Sequence, residues 1–311
     1  MKQLLVLASC LFVTCLSAEV SLLSLIENEK QVSIERLENA TTEELWDAFL
    51  AGQADLFFDM EMNWMANEAY WQQAQNILEI GSGNGSYLFG LATHFADKSF
   101  QGIEKLASSV AQAYKLPEKD NLLFHQGDAE VFDERFTDTA DLVLFRLTLQ
   151  HLEKPFLALE NAWQYLSENG YVIIIDSCDS AKQGSHPITQ IDDALDRVAD
   201  LQSKNDEKRS RKVTLSILQQ LNSESSLSNL YDVVFSNVDE QGNSVHESIR
   251  LDDQLKRTQY FNHGLLFLSL IHRVYELPVD LDKAYDELMA FANDEEAWTI
   301  PGFHFLVLRK K

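Results

Sequence analysis

Short apolar runs alternate with amphipathic stretches through the middle of the chain. Each run is typical of a buried strand, and each stretch between runs has apolar residues three and four positions apart, which predicts a helix. Strands are predicted at 76–80, 99–104, 121–125, within 139–152 and at 168–176, and helices at 86–96, 107–114 and 156–166. This alternation predicts an α/β fold in which helices cover a largely parallel sheet.

Two further regions flank this alternating part. Before it, Thr41 and Glu44 have the spacing of a capping box at a helix start, and an aromatic and methionine-rich segment follows up to Trp71. After it come helical patterns at about 190–204, 213–227 and 251–276, a strand at 231–236 and a last strand at 302–309. Because the chain between these two strands far exceeds a hairpin loop, we expect an inserted helical cap.

The most specific feature is a glycine-rich turn directly after the first predicted strand. Gly81, Gly83 and Gly85 stand at every second position, and five of the 12 glycines of the chain lie between Gly81 and Gly102. Glycine permits a tight strand-to-helix turn and lets main-chain N–H groups come close to a ligand. Glu79, at the end of the strand, would face the same ligand.

This turn leaves two classes of nucleotide site open. A dinucleotide site requires G-x-G-x-x-G, and Ser86 holds the position of its third glycine here. Glu104 ends the second strand, where an acid accepts hydrogen bonds from ribose hydroxyls in either class. The third strand leads to Asp128 and Ala129, a pair that a nicotinamide-dependent enzyme does not need.

Four segments in order resemble the class I S-adenosylmethionine-dependent methyltransferases. They are E-x-G-x-G-x-G from Glu79, the acid and small residue at Asp128, the apolar strand with its polar turn within 139–152, and the strand at 168–176. The third segment is similar to small-molecule methyltransferases of ubiquinone and menaquinone synthesis, although alanine replaces the usual aromatic residue before Asp141. The resemblance implies a Rossmann-like seven-stranded sheet with helices on both faces, an antiparallel last strand, and helical lid and cap additions.

The resemblance also assigns residues to the cofactor S-adenosylmethionine. In this family the ammonium and carboxylate of the cofactor lie at the glycine turn, the acid of the second strand binds the ribose, and the acid after the third strand holds the adenine amino group. The implied cofactor-binding residues are Glu79, Gly81, Ser82, Gly83, Gly85, Glu104, Asp128, Ala129, Phe145 and Arg146. Arg146 is expected to act through its backbone. His151 and Asp176 are the catalytic candidates, and each also has a purely structural interpretation.

These residues predict methyl transfer by in-line displacement to a small-molecule acceptor. A sulfonium methyl group is already electrophilic, so approach distance, orientation and exclusion of water govern the step. An oxygen or nitrogen acceptor would add a general base. The alternatives are a non-catalytic S-adenosylmethionine-binding or scaffold protein and, less favoured, a nicotinamide-dependent oxidoreductase.

The net charge of −24 narrows the range of partners. Nucleic-acid binding depends on neutralisation of phosphates by lysine and arginine, so we expect no DNA or RNA substrate. A small neutral or cationic acceptor, or a basic protein, is electrostatically easier to bind. The histidines lack the spacing and the cysteine neighbours of metal ligands, so no metal site is predicted.

The N-terminus has the composition of an export signal. Lys2 precedes a mainly apolar run from Leu4 to Leu16 and small residues up to Ala18, which predicts a signal peptide at 1–18, a secreted or periplasmic protein and no stable membrane insertion. A buried N-terminal helix in a cytoplasmic protein is the alternative. The predicted organisation continues with a helical lid at 19–72, the S-adenosylmethionine-binding core at 73–180, and the C-terminal half of the sheet with helical cap insertions at 181–311.

Overall fold

The computed structural model describes residues 22–27, 29–204, 209–245 and 250–311. In this part of the chain one sheet contains seven strands: β1 (Asn76–Ile80), β2 (Ser99–Glu104), β3 (Leu122–Gln126), β4 (Ala140–Arg146), β5 (Leu166–Ser177), β6 (Tyr231–Ser236) and β7 (Phe303–Lys310). Their order is β3-β2-β1-β4-β5-β7-β6. Neighbouring strands are parallel except that β7 runs antiparallel to β5 and β6. The predicted Rossmann-like sheet with an antiparallel last strand is confirmed.

Helices cover both faces of this sheet. They are α1 (Lys30–Asn39), α2 (Thr42–Met65), α3 (Ala69–Gln73), α4 (Ser86–His94), α5 (Ala107–Ala113), α6 (Pro155–Tyr165), α7 (Thr189–Lys204), α8 (Val213–Leu221), α9 (Ser226–Leu230), α10 (Gln254–Tyr275) and α11 (Leu281–Asn293). Helices α10 and α11 lie between β6 and β7 in the chain, and a small two-stranded ladder pairs Gln183–Gly184 with Thr299–Ile300.

The two faces of the sheet follow from the alternation of side chains along its central strands. In β4, Leu142 and Leu144 pack with buried side chains of α2, α4 and α10, whereas Val143 and Phe145 pack with those of α6, α8 and α9. A parallel strand in the middle of an α/β sheet is buried on both faces, so it reads as a nearly continuous apolar run. The same alternation places the side chain of Arg146 on the face covered by α2.

Helix α2 begins at the predicted capping box. The hydroxyl of Thr41 accepts the N–H of Glu44 at 3.2 Å, and the Glu44 carboxylate accepts the N–H of Thr41 at 2.7 Å. The aromatic and methionine-rich segment then continues as a single helix of 24 residues that packs against α10 and α4. The predicted start of this helix is confirmed.

The structure differs from the sequence-based prediction in two elements. The segment 213–227, expected as one helix, forms α8 and α9, because Ser225 and Ser228 make a second capping box that starts a new helix. Helix α11 was not indicated by the sequence pattern. The predicted signal peptide at 1–18 lies outside the described residues. No helix in the described ranges is long and apolar enough to cross a membrane.

Candidate active site

The glycine turn connects β1 to α4 at the carboxyl edge of the parallel strands. Gly81, Gly83 and Gly85 have φ values of 80°, 55° and 79°. A Cβ atom on Gly81 would lie 2.4 Å from the Thr148 side chain, and one on Gly85 would lie 2.6 Å from the Phe124 ring. Glycine is therefore required here both by the backbone conformation and by close packing.

The main-chain N–H groups of this turn are used within the protein. Those of Gly81 and Ser82 both donate to the carbonyl of Ile103, at 2.7 and 3.1 Å. That of Gly83 donates to Oε2 of Glu104 at 3.1 Å. The end of β2 thus accepts the hydrogen bonds of all three N–H groups, and cofactor binding by Gly81, Ser82 and Gly83 stays a prediction.

Glu104 joins the glycine turn to the end of β2. Besides the bond from Gly83, its Oε1 accepts the N–H of Leu106 at 2.8 Å. The side chain is half-buried, and each carboxylate oxygen has a second lone pair for a further donor. Two backbone bonds thus fix the carboxylate at the edge of the turn while it can still accept hydroxyl groups.

Asp128 lies just after β3, beside a groove of about 470 Å³. Its Oδ2 pairs with Nζ of Lys105 at 2.8 Å. Val131 and Phe132 line the same groove with exposed apolar side chains, and Ala129 packs against the α6 face of the core. An acid beside exposed apolar groups suits a flat ring that carries an amino donor.

Helix α2 covers the glycine turn directly. The side-chain amide of Asn84 donates to the carbonyl of Asp47 at 3.1 Å and to its carboxylate at 2.8 Å. The side chain of Leu50 lies 3.2 Å from the position that a Cβ atom on Gly83 would take. These contacts shield the turn from water on this side.

A buried polar cluster lies under α2, between the ends of β1 and β4. Glu61 of α2 is fully buried, and its Oε2 pairs with Nε of Arg146 at 2.7 Å. The Arg146 guanidinium also stacks over the Tyr87 ring at 4.2 Å and donates to the carbonyl of Gln53. Glu79 is only 2% exposed. The hydroxyl of Tyr87 faces the Glu61 carboxylate, and Glu79 Oε2 has no hydrogen-bond partner among the described residues. One guanidinium thus faces two buried carboxylates.

Burial sets the protonation of Glu79. Removal from water raises the pKa of this carboxyl to about 8, against the opposing charge of Arg146 and with added repulsion from Glu61 and Glu104. Glu79 therefore holds a proton at neutral pH in the free protein. A cation placed beside it would favour the ionised form.

His263 of α10 approaches the same cluster from the other side. Its ring stacks on Phe49, with centroids 4.6 Å apart at 17°, and meets the edge of Phe57 at 5.7 Å. Its Nδ1 is buried and has no hydrogen-bond partner in the described ranges. Burial, and after it the charge of Arg146, lowers the pKa of His263, so the ring is neutral.

The two catalytic candidates have different surroundings. Asp176 is fully buried, and its carboxylate oxygens accept the N–H groups of Ser177 at 2.8 Å and Gln150 at 3.2 Å. It therefore fixes the turn that follows β4. His151 is exposed on that turn. Phe145 is fully buried on the α6 face, so only its backbone is available to a ligand.

Sequence reasoning missed the buried cluster around Arg146. The side chain of Arg146 is the centre of that cluster, whereas a backbone role was expected. Glu61, Tyr87 and His263 were not singled out. One feature of the sequence could have indicated the cluster. Glu61 is an acid on an apolar stretch, between two methionines and one helical turn after Phe57.

The strand order, the glycine turn and the row of acids at the strand ends define a class I S-adenosylmethionine-dependent methyltransferase. A model of the methyltransferase-domain family matches residues 72–262, which is more than half of the chain. The chain belongs to this family. It is an enzyme of this class with S-adenosylmethionine as its cofactor.

Two solved structures of methyltransferases are similar to this chain. The plantazolicin methyltransferase BpumL in complex with S-adenosylhomocysteine is 18% identical, and the match covers 94% of this chain and 95% of that chain with a TM-score of 0.43. A S-adenosylmethionine-dependent methyltransferase from Aquifex aeolicus is 20% identical over 33% of this chain and 56% of that chain, with a TM-score of 0.31. The match thus spans little more than half of the Aquifex protein. No curated protein matches the chain.

Proposed function

We propose that this enzyme transfers the methyl group of S-adenosylmethionine to a small-molecule acceptor. The observation that carries the proposal is the row formed by Glu79, Glu104 and Asp128. These acids lie at or just after the carboxyl ends of β1, β2 and β3, which are neighbours in the sheet. Such a row suits a ligand with an ammonium group, a ribose and an aminopurine along its length.

Each acid then has a separate partner on the cofactor. Glu79 would receive the ammonium group, since its buried Oε2 is unpaired among the described residues. Glu104 would accept the ribose hydroxyls with the lone pairs that its two backbone bonds leave free. Asp128 would accept the adenine amino group in place of Lys105, with the ring against the apolar side of the groove.

The chain contributes orientation and exclusion of water. When bound, S-adenosylmethionine supplies a sulfonium methyl group that is already electrophilic, and a precise approach of the acceptor is what remains to be provided. Helix α2 shields the turn through Leu50 and through the bond from Asn84 to Asp47. Asp176 holds the turn after β4 in place, so we assign it a positioning role, and His151 is the exposed group on that turn.

The acceptor proposed here is small and partly apolar. The net charge of −24 disfavours a polyanion, and Phe49 and Phe57 of α2 pack on the ring of His263 of α10. The resemblance to quinone-pathway enzymes stays a prediction. Export through a signal peptide at 1–18 is likewise a proposal, supported only by the composition of that segment.

Binding and turnover measured together test this function. Calorimetry should show binding of S-adenosylmethionine and S-adenosylhomocysteine and weak binding of nicotinamide dinucleotides. S-adenosylhomocysteine should then form on addition of an acceptor from a small-molecule library, and not with DNA or RNA at physiological salt. Cofactor binding without product for any acceptor would favour the scaffold alternative. Absence of cofactor binding would refute the proposed function.

A further inference from the structure

We propose that Arg211 is a positioning residue that joins the turns after β4 and β5 on the acceptor side of the site. The inference rests on the proposed function and extends it to a segment outside the sheet. Arg211 lies two residues before α8, in the connection that leads from α7. The turn after β4 comprises residues 147–152, and the turn after β5 comprises residues 178–182.

The guanidinium of Arg211 contacts both turns. Its Nε and Nη2 donate to the two carboxylate oxygens of Asp179, each at 2.7 Å, and its Nη1 donates to Oε1 of Gln150 at 3.3 Å. A guanidinium presents its donors in a rigid planar fork, so a bidentate pair with one carboxylate fixes the direction of the remaining donor. The pair with Asp179 is partly exposed, so its consequence is geometric rather than a large gain in stability.

Gln150 is held from a second direction by Asp176. Gln150 is 6% exposed, and its main-chain N–H donates to Oδ2 of the fully buried Asp176 at 3.2 Å. The other oxygen of Asp176 accepts the N–H of Ser177 at 2.8 Å. The main chain of Gln150 is therefore tied to the end of β5, and its side chain is tied to Arg211.

The position of these turns relates them to the acceptor. The strand order places β4 and β5 on the other side of β1 from β2 and β3, which lead to Glu104 and Asp128. A cofactor that fills the row over β1, β2 and β3 leaves the ends of β4 and β5 for the acceptor. The turn after β4 also packs on the glycine turn, since the Thr148 side chain lies 2.4 Å from the position that a Cβ atom on Gly81 would take. Because approach distance and orientation govern in-line displacement, the placement of this turn affects the rate of transfer.

The charge of Arg211 also acts on Asp176. Burial raises the pKa of Asp176 to about 6, and the N–H groups of Ser177 and Gln150, followed by the charge of Arg211, oppose that rise. His304, the cross-strand neighbour of Asp176 on β7, is neutral because burial lowers its pKa to about 4. Arg211 therefore favours the ionised form of Asp176, in which both oxygens accept hydrogen bonds.

Titration of the Asp176 carboxyl group tests this link directly. Its ¹³C resonance, assigned with the Asp176→Asn variant, is followed by NMR across the pKa of about 6. Arg211→Met should raise the pKa of Asp176 by about 0.5 unit or more, and Arg211→Lys, which keeps a positive charge, should raise it less. Lys212→Met removes the charge of an exposed neighbour and should leave the titration unchanged. A pKa of Asp176 in Arg211→Met equal to that of the parent overturns the proposal.

Methyl transfer tests the positioning role. The assay uses the acceptor from the small-molecule library that gives the highest turnover with the parent enzyme. Arg211→Met should lower kcat/KM for this acceptor by about tenfold or more, with the dissociation constant of S-adenosylmethionine changed by less than about threefold. Arg211→Lys should restore part of the rate, and Lys212→Met should match the parent.

The two measurements separate failure of this inference from failure of the proposed function. An unchanged rate in Arg211→Met, or an equal loss of rate and cofactor affinity, overturns the role of Arg211 on the acceptor side. An equal loss of rate in Lys212→Met overturns it as well, because the effect would then be one of overall charge. Absence of cofactor binding by the parent instead refutes the proposed function, and the titration of Asp176 still tests the link through Arg211.

Discussion

Glu61 and Arg146, 85 residues apart in the chain, form an ion pair of 2.7 Å with 0% and 6% of their side-chain surface exposed. The pair ties helix α2 to the carboxyl end of β4, so the helix over the glycine turn is anchored to the centre of the sheet. Two desolvated charges are costly, and a buried pair is weak evidence for net stabilisation. Its clearer consequence is that removal of either partner leaves the other as an uncompensated buried charge, which destabilises the folded chain.

The first prediction is a strong coupling between these two residues. Glu61→Gln or Arg146→Met alone should reduce the free energy of unfolding by about 3–5 kcal/mol, because each leaves an uncompensated buried group. The double variant should recover most of that loss, as measured by urea unfolding. Lys105→Ala, which breaks the exposed pair with Asp128, should change stability by less than about 1 kcal/mol. Additive losses in the double variant would mean that the two charges do not interact.

The sequence predicted the sheet well because each strand carries its own local signal. Apolar runs bounded by polar residues indicated β2 and β6 at the residues where the structure has them, 99–104 and 231–236. The break between α8 and α9 was missed, since two serines inside an amphipathic pattern gave only a weak capping signal. Local pattern therefore defines the elements better than the interruptions between them.

The residues of the candidate site were likewise predictable from the sequence only in part. Glu104 and Asp128 could be placed from the sequence, because consecutive parallel strands bring their ends to one edge of the sheet. Glu61 and His263 could not, because their role depends on how α2 and α10 cross the end of β4. Hydrophobic periodicity shows that a helix is buried and does not show which distant partner it meets.

The second prediction concerns recognition of the ribose. Glu104→Ala removes a carboxylate that we expect to accept two hydroxyl bonds, so binding of S-adenosylmethionine should weaken by about 2–4 kcal/mol, which is more than about tenfold in affinity. Asp128→Ala should have a smaller effect, since Asp128 must first leave Lys105. Calorimetry on both variants, with circular dichroism to confirm folding, measures the difference. Parental affinity in both would show that these acids do not contact the cofactor.

The third prediction concerns Gly83 and the helix above it. Gly83→Ala places a Cβ atom 3.2 Å from Leu50 at a φ of 55°, where a side chain costs about 1–2 kcal/mol. A bulky residue such as valine should abolish cofactor binding. Adding Leu50→Ala to Gly83→Ala should restore part of the affinity by removing the contact, while the backbone strain persists. If the second substitution has no effect, α2 does not lie against the turn in solution.

The fourth prediction concerns the N-terminal segment. Lys2, the apolar run and the small residues up to Ala18 predict cleavage before Glu19. Intact-mass analysis of protein from the native host should then give a mature chain that starts near Glu19. Recovery of Met1 or Lys2 from a cytoplasmic fraction would refute export. Because S-adenosylmethionine is made inside cells, an exported enzyme would need a compartment or a target cell that supplies it.

The last prediction is that Glu79 couples cofactor binding to proton release. In the free protein burial raises the pKa of Glu79 to about 8, so the carboxyl is protonated at pH 7. The ammonium and sulfonium charges of the cofactor favour the ionised form, and binding should release about one proton near that pH. Between pH 6 and 7.5 the affinity should therefore rise with pH, by up to about tenfold per unit.

Calorimetry in buffers of different ionisation enthalpy measures this proton directly. Glu79→Gln should abolish the release and flatten the pH dependence. The free energy of unfolding depends on pH with the opposite sign to the cofactor affinity. Between the ordinary carboxyl pKa of 4.5 and about 8, the folded free protein holds a proton that the unfolded chain has lost, so the contribution of Glu79 to stability falls as pH rises through that window. A Glu79→Gln variant that released the same number of protons as the parent would show that the coupled group lies elsewhere.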